Sequence, residues 1–149
     1  MVTAPQPIIR PIKPGDINDV ARMEREIFAS PWTRDNLEKD IGASFSIFLV
    51  AELEGALVGY ASAWNVQGEI QLNKIAVLPA HRRSGIGTLL YRGIIEILRG
   101  ENPSKVILEV RERNEGARRF YEALGFRQTG FRKNYYRDDN AVLLDRDLV

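Results

Sequence analysis

Arg82-Arg83-Ser84-Gly85-Ile86-Gly87-Thr88 lies between the apolar run Leu72 to Val77 and a helix-patterned segment from Leu89 to Arg99. How this stretch is read decides the rest of the chain. Gly85 and Gly87 carry no Cβ, so the backbone can tighten there and turn several N–H groups toward one point. A helix start leaves its first N–H groups unpaired, and together with the positive end of the helix dipole they attract a phosphate or diphosphate. Arg82 and Arg83 add formal charge at the mouth of the turn. Two well-known phosphate loops do not fit. The nucleoside-triphosphate form needs Lys-Ser/Thr after its last glycine, where this chain has Thr88-Leu89. The dinucleotide form needs a glycine where Leu90 stands and begins at the strand end, whereas Leu78 to Ser84 intervene here. What remains is strand, short loop, Arg-x-x-Gly-x-Gly, helix.

A chain of 149 residues has the length of a single domain and can bury a core without staples. It has no cysteine and one histidine, which excludes a disulfide framework, a Cys/His zinc site and a thiol nucleophile. Neither a signal-peptide pattern nor an apolar run of membrane-crossing length is present, so a cytoplasmic protein with no membrane partner is expected. The net charge of +1 argues against direct nucleic-acid binding. Charge is nevertheless uneven. Lys105 to Arg137 holds 9 Lys/Arg against 4 Glu, a balance of +5, which leaves −4 for the remainder. Exposed basic faces explain this, as does a polyanionic partner such as the phosphates of a cofactor.

Along the chain, Ile8 to Ile12 reads as a strand and Asp16 as the N-cap of a helix carrying Ile17, Val20, Met23 and Ile27. Ser30-Pro31-Trp32 breaks that helix, and Thr33 caps a shorter one through Ile41. Phe45 to Leu53, Ala56 to Asn65 and Glu69 to Val77 form an antiparallel meander turning at Glu54-Gly55 and Gln67-Gly68. After the loop and its helix, which stops at Gly100, Lys105 to Val110 reads as a buried strand. Asn114 caps a helix that Gly125 ends. Gln128 to Tyr136 and Ala141 to Leu148 close the chain as a hairpin around Asp138-Asp139-Asn140. The order predicts an α/β (α+β) fold with a mixed, mostly antiparallel sheet of about seven strands and helices on both faces.

Four side chains are chemically notable. Val106, Leu108 and Val110 alternate with Ile107, Glu109 and Arg111, so Glu109 leaves its strand on the opposite face near the C-terminal end, where open α/β sheets bind ligands. It is either a surface partner of Arg111 or a general base. Tyr121, beside Phe120, is either core packing or a phenol that protonates a leaving thiolate. Asn114 most simply caps its helix, and its amide can still touch a ligand along the helix start. His81 is a loop histidine with a surface role.

Glu109-Val110-Arg111, Asn114, Ala117, Phe120-Tyr121-Glu122 and Leu124-Gly125-Phe126 follow the pattern Leu-Glu-Val-Arg-x-x-Asn-x-x-Ala-x-x-x-Tyr-x-x-x-Gly-Phe. With the cradle, Ile75-Ala76-Val77, Phe28, Pro31-Trp32 and Arg132 to Tyr136, this resembles the GNAT (Gcn5-related) N-acetyltransferases, in particular the RimI-type ribosomal-protein alanine N-acetyltransferases. The resemblance spans roughly Ile8 to Leu148 and implies the GNAT fold. It implies acetyl-CoA lying along Ile75, Ala76 and Val77, with its diphosphate on the main chain of Arg82, Arg83, Ser84, Gly85, Ile86, Gly87 and Thr88. It also implies Glu109 as acceptor of the amine proton, Tyr121 as donor to the CoA sulfur and Asn114 as a cofactor contact, without a metal. The implied acceptor is a protein or peptide N-terminus, a ribosomal protein being the example the branch offers.

Acidity agrees with that acceptor. A free α-amine has pKa ≈ 7.7–8.0 and lysine ≈ 10.4, so neutralising lysine at pH 7 costs about 3.4 kcal/mol more, which suits a lone glutamate base to the α-amine. Trp32 and Tyr135 can line a slot for an extended N-terminus, or be plain core and rim. Two departures stand out. Lys74, preceded by Asn73, stands where the family often has Asn, which bears on first-residue preference. The loop Arg137 to Ala141 is also short. The alternatives are a GNAT enzyme acetylating lysine or a small-molecule amine, and a non-catalytic CoA-binding module; the presence of both Glu109 and Tyr121 speaks against the latter.

Overall fold

The computed structural model describes residues 4–148. Its elements are β1 (Ile8–Pro11), α1 (Ile17–Ile27), α2 (Arg34–Ile41), β2 (Ser46–Leu53), β3 (Ala56–Val66), β4 (Glu69–Val77), α3 (Ile86–Leu98), β5 (Lys105–Arg111), α4 (Glu115–Ala123), β6 (Arg127–Arg132) and β7 (Ala141–Asp147). They build one seven-stranded sheet in the order β1-β2-β3-β4-β5-β7-β6. Every neighbouring pair is antiparallel except β4 with β5. The expected mixed, mostly antiparallel sheet is present, with a single parallel junction. Among the described residues no helix is long and apolar enough to cross a membrane.

Helices cover both faces. On one, Leu90, Ile94 and Leu98 of α3 and Tyr121 of α4 pack with Phe126 against Ile70, Leu72, Val106, Leu108, Val110 and Leu144. On the other, Ile17, Val20 and Met23 of α1 and Leu37 of α2 pack against Phe48, Val50, Tyr60 and Ala76. Each fully buried leucine or isoleucine here contributes about 1.5–3 kcal/mol of hydrophobic stabilisation. Two-residue turns set the register of the meander. Glu54-Gly55 (φ 51° and 85°) and Gln67-Gly68 (φ 55° and 88°) both place two successive residues in the left-handed region, as the twist of a tight hairpin demands.

The junction between β4 and β5 is short. Only Glu69↔Lys105, Ile70↔Val106 and Gln71↔Ile107 are paired, although both strands continue. The pairing of β3 with β4 shifts at the same level: Ala63 faces Leu72, Ser62 faces Lys74, and Asn73 is the extra residue of a bulge. A bulge bends and twists its strand. It also exchanges faces. Ile70, Leu72, Ile75 and Val77 all pack on the α3 side, so Lys74 and Ala76 turn toward α1. Beyond Gln71 one edge of β4 is left without a strand partner.

The structure corrects some boundaries and contacts. Asp16 does not cap α1; its carboxylate accepts from Arg10 at 2.7 and 3.0 Å and from the Lys13 N–H at 2.8 Å. A bidentate guanidinium partner outcompetes the local amide, and it holds the Asp16 pKa below the usual carboxylate value. β6 ends at Arg132 rather than Tyr136, because Lys133 to Asn140 folds into a loop with its own hydrogen bonds, Asn134 N–H to Asn140 Oδ1 at 2.7 Å and Tyr136 N–H to Asp139 O at 3.0 Å. Thr33 and Asn114 do cap their helices, through Asn36 N–H and Ala117 N–H, each at 3.1 Å.

Gly59 faces Val77 across the β3–β4 pair, and a Cβ there lies 2.8 Å from the Ala76 carbonyl oxygen. Gly59→Ala is therefore expected to cost roughly 1–3 kcal/mol in urea unfolding, whereas Gly116→Ala on the open side of α4 is neutral or stabilising by about 0.5–1 kcal/mol. Equal stabilities of the two variants would refute this packing.

Candidate active site

The cradle forms where α3 begins. Gly85, at φ 86°, is its N-cap and supplies no side-chain cap. The first helical bond runs from Leu89 N–H to Gly85 O at 3.1 Å. The amides of Ile86, Gly87 and Thr88 have no partner among the described residues, the ordinary condition of a first turn and a ready anion site. Arg83 also has positive φ, 63°. Arg82 Nε donates to the Val77 carbonyl at 2.9 Å, which anchors its guanidinium where β4 ends, and Ser84 Oγ donates to His81 O at 2.5 Å.

Gly87 does not tighten this turn as expected. It lies inside α3, and a Cβ on it lies 3.1 and 3.2 Å from the Phe120 ring. Its smallness instead leaves room for the Phe120 ring of α4 against the start of α3.

The unpaired edge of β4 leads from this cradle toward β5. Ile75 and Val77 sit on the α3 side of the opening and Ala76 on the α1 side. At its apex lies Asn73, whose Nδ2 is a buried donor without a hydrogen-bond partner, the one such side-chain atom among the described residues. An extended ligand carrying amide carbonyls at one end and a diphosphate at the other suits this set: an orphaned donor, a free strand edge and a row of free helix amides.

Two candidate proton-transfer groups flank the opening on opposite faces. Glu109, two residues past the last β4–β5 pair, projects away from Leu108 and Val110 into a hollow of about 230 Å³ bounded also by Gln71, Ile107, Arg132 and Leu143. Tyr135 meets it there. The nearby Glu109 carboxylate raises the Tyr135 phenol above its ordinary value, and burial with that same charge raises Tyr136. The loop bearing both tyrosines is tied to the end of β5 through Arg111 to Asp138 and Arg113 N–H to Asp139 Oδ2 at 3.0 Å. The Arg111 guanidinium also stacks 4.3 Å from the Tyr136 ring centre.

Tyr121 lies on the α3 side, 8% exposed, with ring centres of Phe120 and Phe126 at 5.1 and 5.5 Å. Burial pushes its pKa well above that of a free phenol, so it stays protonated. The core-packing reading of Tyr121 is what the structure shows, and its phenol remains the candidate proton donor. Asn114 caps α4, as noted, at the start of the helix that carries Tyr121. Trp32 packs over Lys74 on β4, with 4.1 Å between the Nζ and the ring centre, while Tyr135 faces Glu109 on β5. The two expected slot residues thus stand at opposite sides of the opening.

Sequence reasoning missed several residues of this region. Asn73 was legible as a slip in apolar alternation, Ile70 and Leu72 giving way to Ile75 and Val77. Glu24 was not, because its partners Tyr60, Trp32 and Lys74 come from three other parts of the chain.

Residues 17–126 match the acetyltransferase (GNAT) family. The chain is 33% identical over 142 residues to the [ribosomal protein bS18]-alanine N-acetyltransferase of Haemophilus influenzae, covering 92% of this chain and 96% of that protein. It is 31% identical over 133 residues to the N-alpha-acetyltransferase RimI of Mycobacterium tuberculosis, covering 85% and 82% of the respective chains. The crystal structure of the ribosomal-protein-S18-alanine N-acetyltransferase from Escherichia coli superposes with a TM-score of 0.88 at 26% identity, over 96% of this chain and 94% of that one. With fold, cradle and sequence in agreement, the chain belongs to the GNAT acetyltransferase family.

Proposed function

We propose that this chain, acting as one catalytic domain in the cytoplasm, transfers the acetyl group of acetyl-CoA to the α-amine of a protein N-terminus. A ribosomal protein, as in the names of its relatives, is the acceptor to try first. The observation that carries this reading is the parting of β4 from β5 after Gln71, which leaves a free strand edge running into the free amides of α3, with Glu109 on one face and Tyr121 on the other.

Acetyl-CoA, when bound, supplies an activated thioester. The amides from Arg82 to Thr88 would hold its diphosphate, and the edge Ile75-Ala76-Val77 would align its extended arm. Main-chain N–H groups near Val77 would stabilise the oxygen that becomes anionic in the transition state, a term worth about 2.7–4 kcal/mol per donor where it has been measured. Glu109 takes a proton from the incoming amine on the open face. Tyr121, kept neutral by burial, gives its proton to the departing sulfur on the closed face. Asn114 fixes the start of the helix that carries Tyr121. Placing base and acid on opposite faces lets amine and sulfur occupy opposite sides of the same carbonyl.

The hollow beside Glu109 is lined by residues of β4, β5, β6 and β7 and by no helix, which favours a chain end over a small buried amine. CoA release is expected with peptides bearing a free N-terminus and not with matched peptides blocked there but carrying free lysine. Preference for the blocked lysine set would reverse the assignment. Glu109→Gln and Tyr121→Phe should each lower kcat by about 10²-fold or more with acetyl-CoA affinity retained. Since burial holds the Tyr121 phenol above its usual pKa of ≈ 10, kcat of the wild type should show no descending limb below about pH 10 from this group. Unaltered turnover in both variants would remove these side chains from the chemistry.

A further inference from the structure

Glu24 is a carboxylate with no exposed surface, and four donated contacts converge on it. Tyr60 Oη donates to Oε1 at 2.7 Å, Lys74 Nζ to Oε1 at 2.8 Å and to Oε2 at 3.1 Å, and the main-chain N–H of Trp32 to Oε2 at 3.2 Å. The Lys74 side chain retains 15% exposure, and its ammonium lies 4.0 Å from the ring centre of Phe28 and 4.1 Å from that of Trp32. One buried anion thereby joins α1, β3, β4 and the segment between α1 and α2. The exposed end of the pair is its positive end.

Lys74 lies three residues beyond the last β4–β5 pair and Glu109 two residues beyond it, and both project to the face opposite α3. They therefore border the same opening at nearly the same level. An acceptor amine held by Glu109 carries its first side chain one atom away, toward whatever forms the β4 side of the slot. On the β4 side the Lys74 ammonium lies against the rings of Phe28 and Trp32.

We propose that Lys74, held by Glu24, is the floor of the first-residue pocket and selects the acceptor by size and charge. It admits small, uncharged first residues, excludes branched or long apolar ones, and repels basic ones. The cation-π contacts hold both rings against the ammonium and so fix the pocket width, while the buried counter-ion keeps the ammonium from swinging out to water. This rests on the N-terminal transferase reading and specifies its acceptor.

The test measures kcat/KM for three peptides identical beyond a first residue of Ala, Leu or Arg, with acetyl-CoA affinity of each protein read by calorimetry. Lys74→Asn, which shortens the side chain, should raise the Leu-to-Ala ratio about tenfold or more, in line with what a pocket gains or loses per methylene group. Lys74→Met, which keeps the length and removes the charge, should leave that ratio close to wild type and raise the Arg-to-Ala ratio about tenfold. Should Lys74→Asn fail to fold because Glu24 is left unpaired, the same ratio is read in Glu24→Gln/Lys74→Asn. Variants that bind acetyl-CoA normally yet keep both wild-type ratios overturn the pocket assignment while leaving the transferase reading intact. Failure of the wild type to acetylate the Ala peptide overturns both.

Discussion

Everything at this site depends on β4 leaving β5. Parallel strands that stay together satisfy each other's amides and leave nothing for a ligand; here hydrogen bonding stops at Gln71 and Ile107, and the Asn73 bulge bends β4 away. A free strand edge inside a protein costs unsatisfied backbone groups unless something fills it. The sheet stays intact because β4 remains paired with β3 on its other side at every residue but Asn73, and β5 with β7 along its whole length. The cleft is therefore bounded by two well-supported strands, which lets it be both open and fixed in shape.

The bulge also divides labour between faces. By shifting the alternation of β4 by one residue, it keeps Ile75 and Val77 in the α3-side core and turns Lys74 toward α1. The α3 face is apolar and closed, so a phenol there stays neutral. The opposite face carries the charged groups, Glu109 with Tyr135 and Tyr136, and Lys74 with Glu24. The proposed transfer uses this arrangement, with its donor side on one face and its acceptor side on the other. At Gly87 a Cβ would press on the Phe120 ring, so the glycine lets α4 pack close against the start of α3.

The elements were legible where local chemistry acts alone. Thr33 and Asn114 cap because a short polar side chain reaches an amide three residues on, and Glu54-Gly55 and Gln67-Gly68 turn because a two-residue hairpin requires positive φ. Glu109 followed from simple alternation in β5. Local rules failed where a distant partner intervened. Asp16 is drawn from its helix by Arg10, the first strand of the closing hairpin is cut short by the bonded loop to Asn140, and Gly87 serves Phe120, 33 positions away in the numbering. The Glu24 cluster had no local signature at all, because its four contributing segments meet only in the folded sheet. The family pattern marked Lys74 as a departure, and the packing shows its charge held by Glu24 against Phe28 and Trp32.

The central claim is that free amides at the start of α3 hold the diphosphate of a thioester carrier. Charge-assisted hydrogen bonds contribute about 1.5–3 kcal/mol each, so two of them already amount to more than a hundredfold in affinity. Calorimetric titration of the purified protein with acetyl-CoA and with S-acetyl-pantetheine, which keeps the thioester and lacks the diphosphate, tests this directly. Saturable binding of acetyl-CoA with at least a hundredfold weaker binding of the truncated thioester is the predicted result. Equal affinity for both, or no heat with acetyl-CoA from a folded protein, would contradict it.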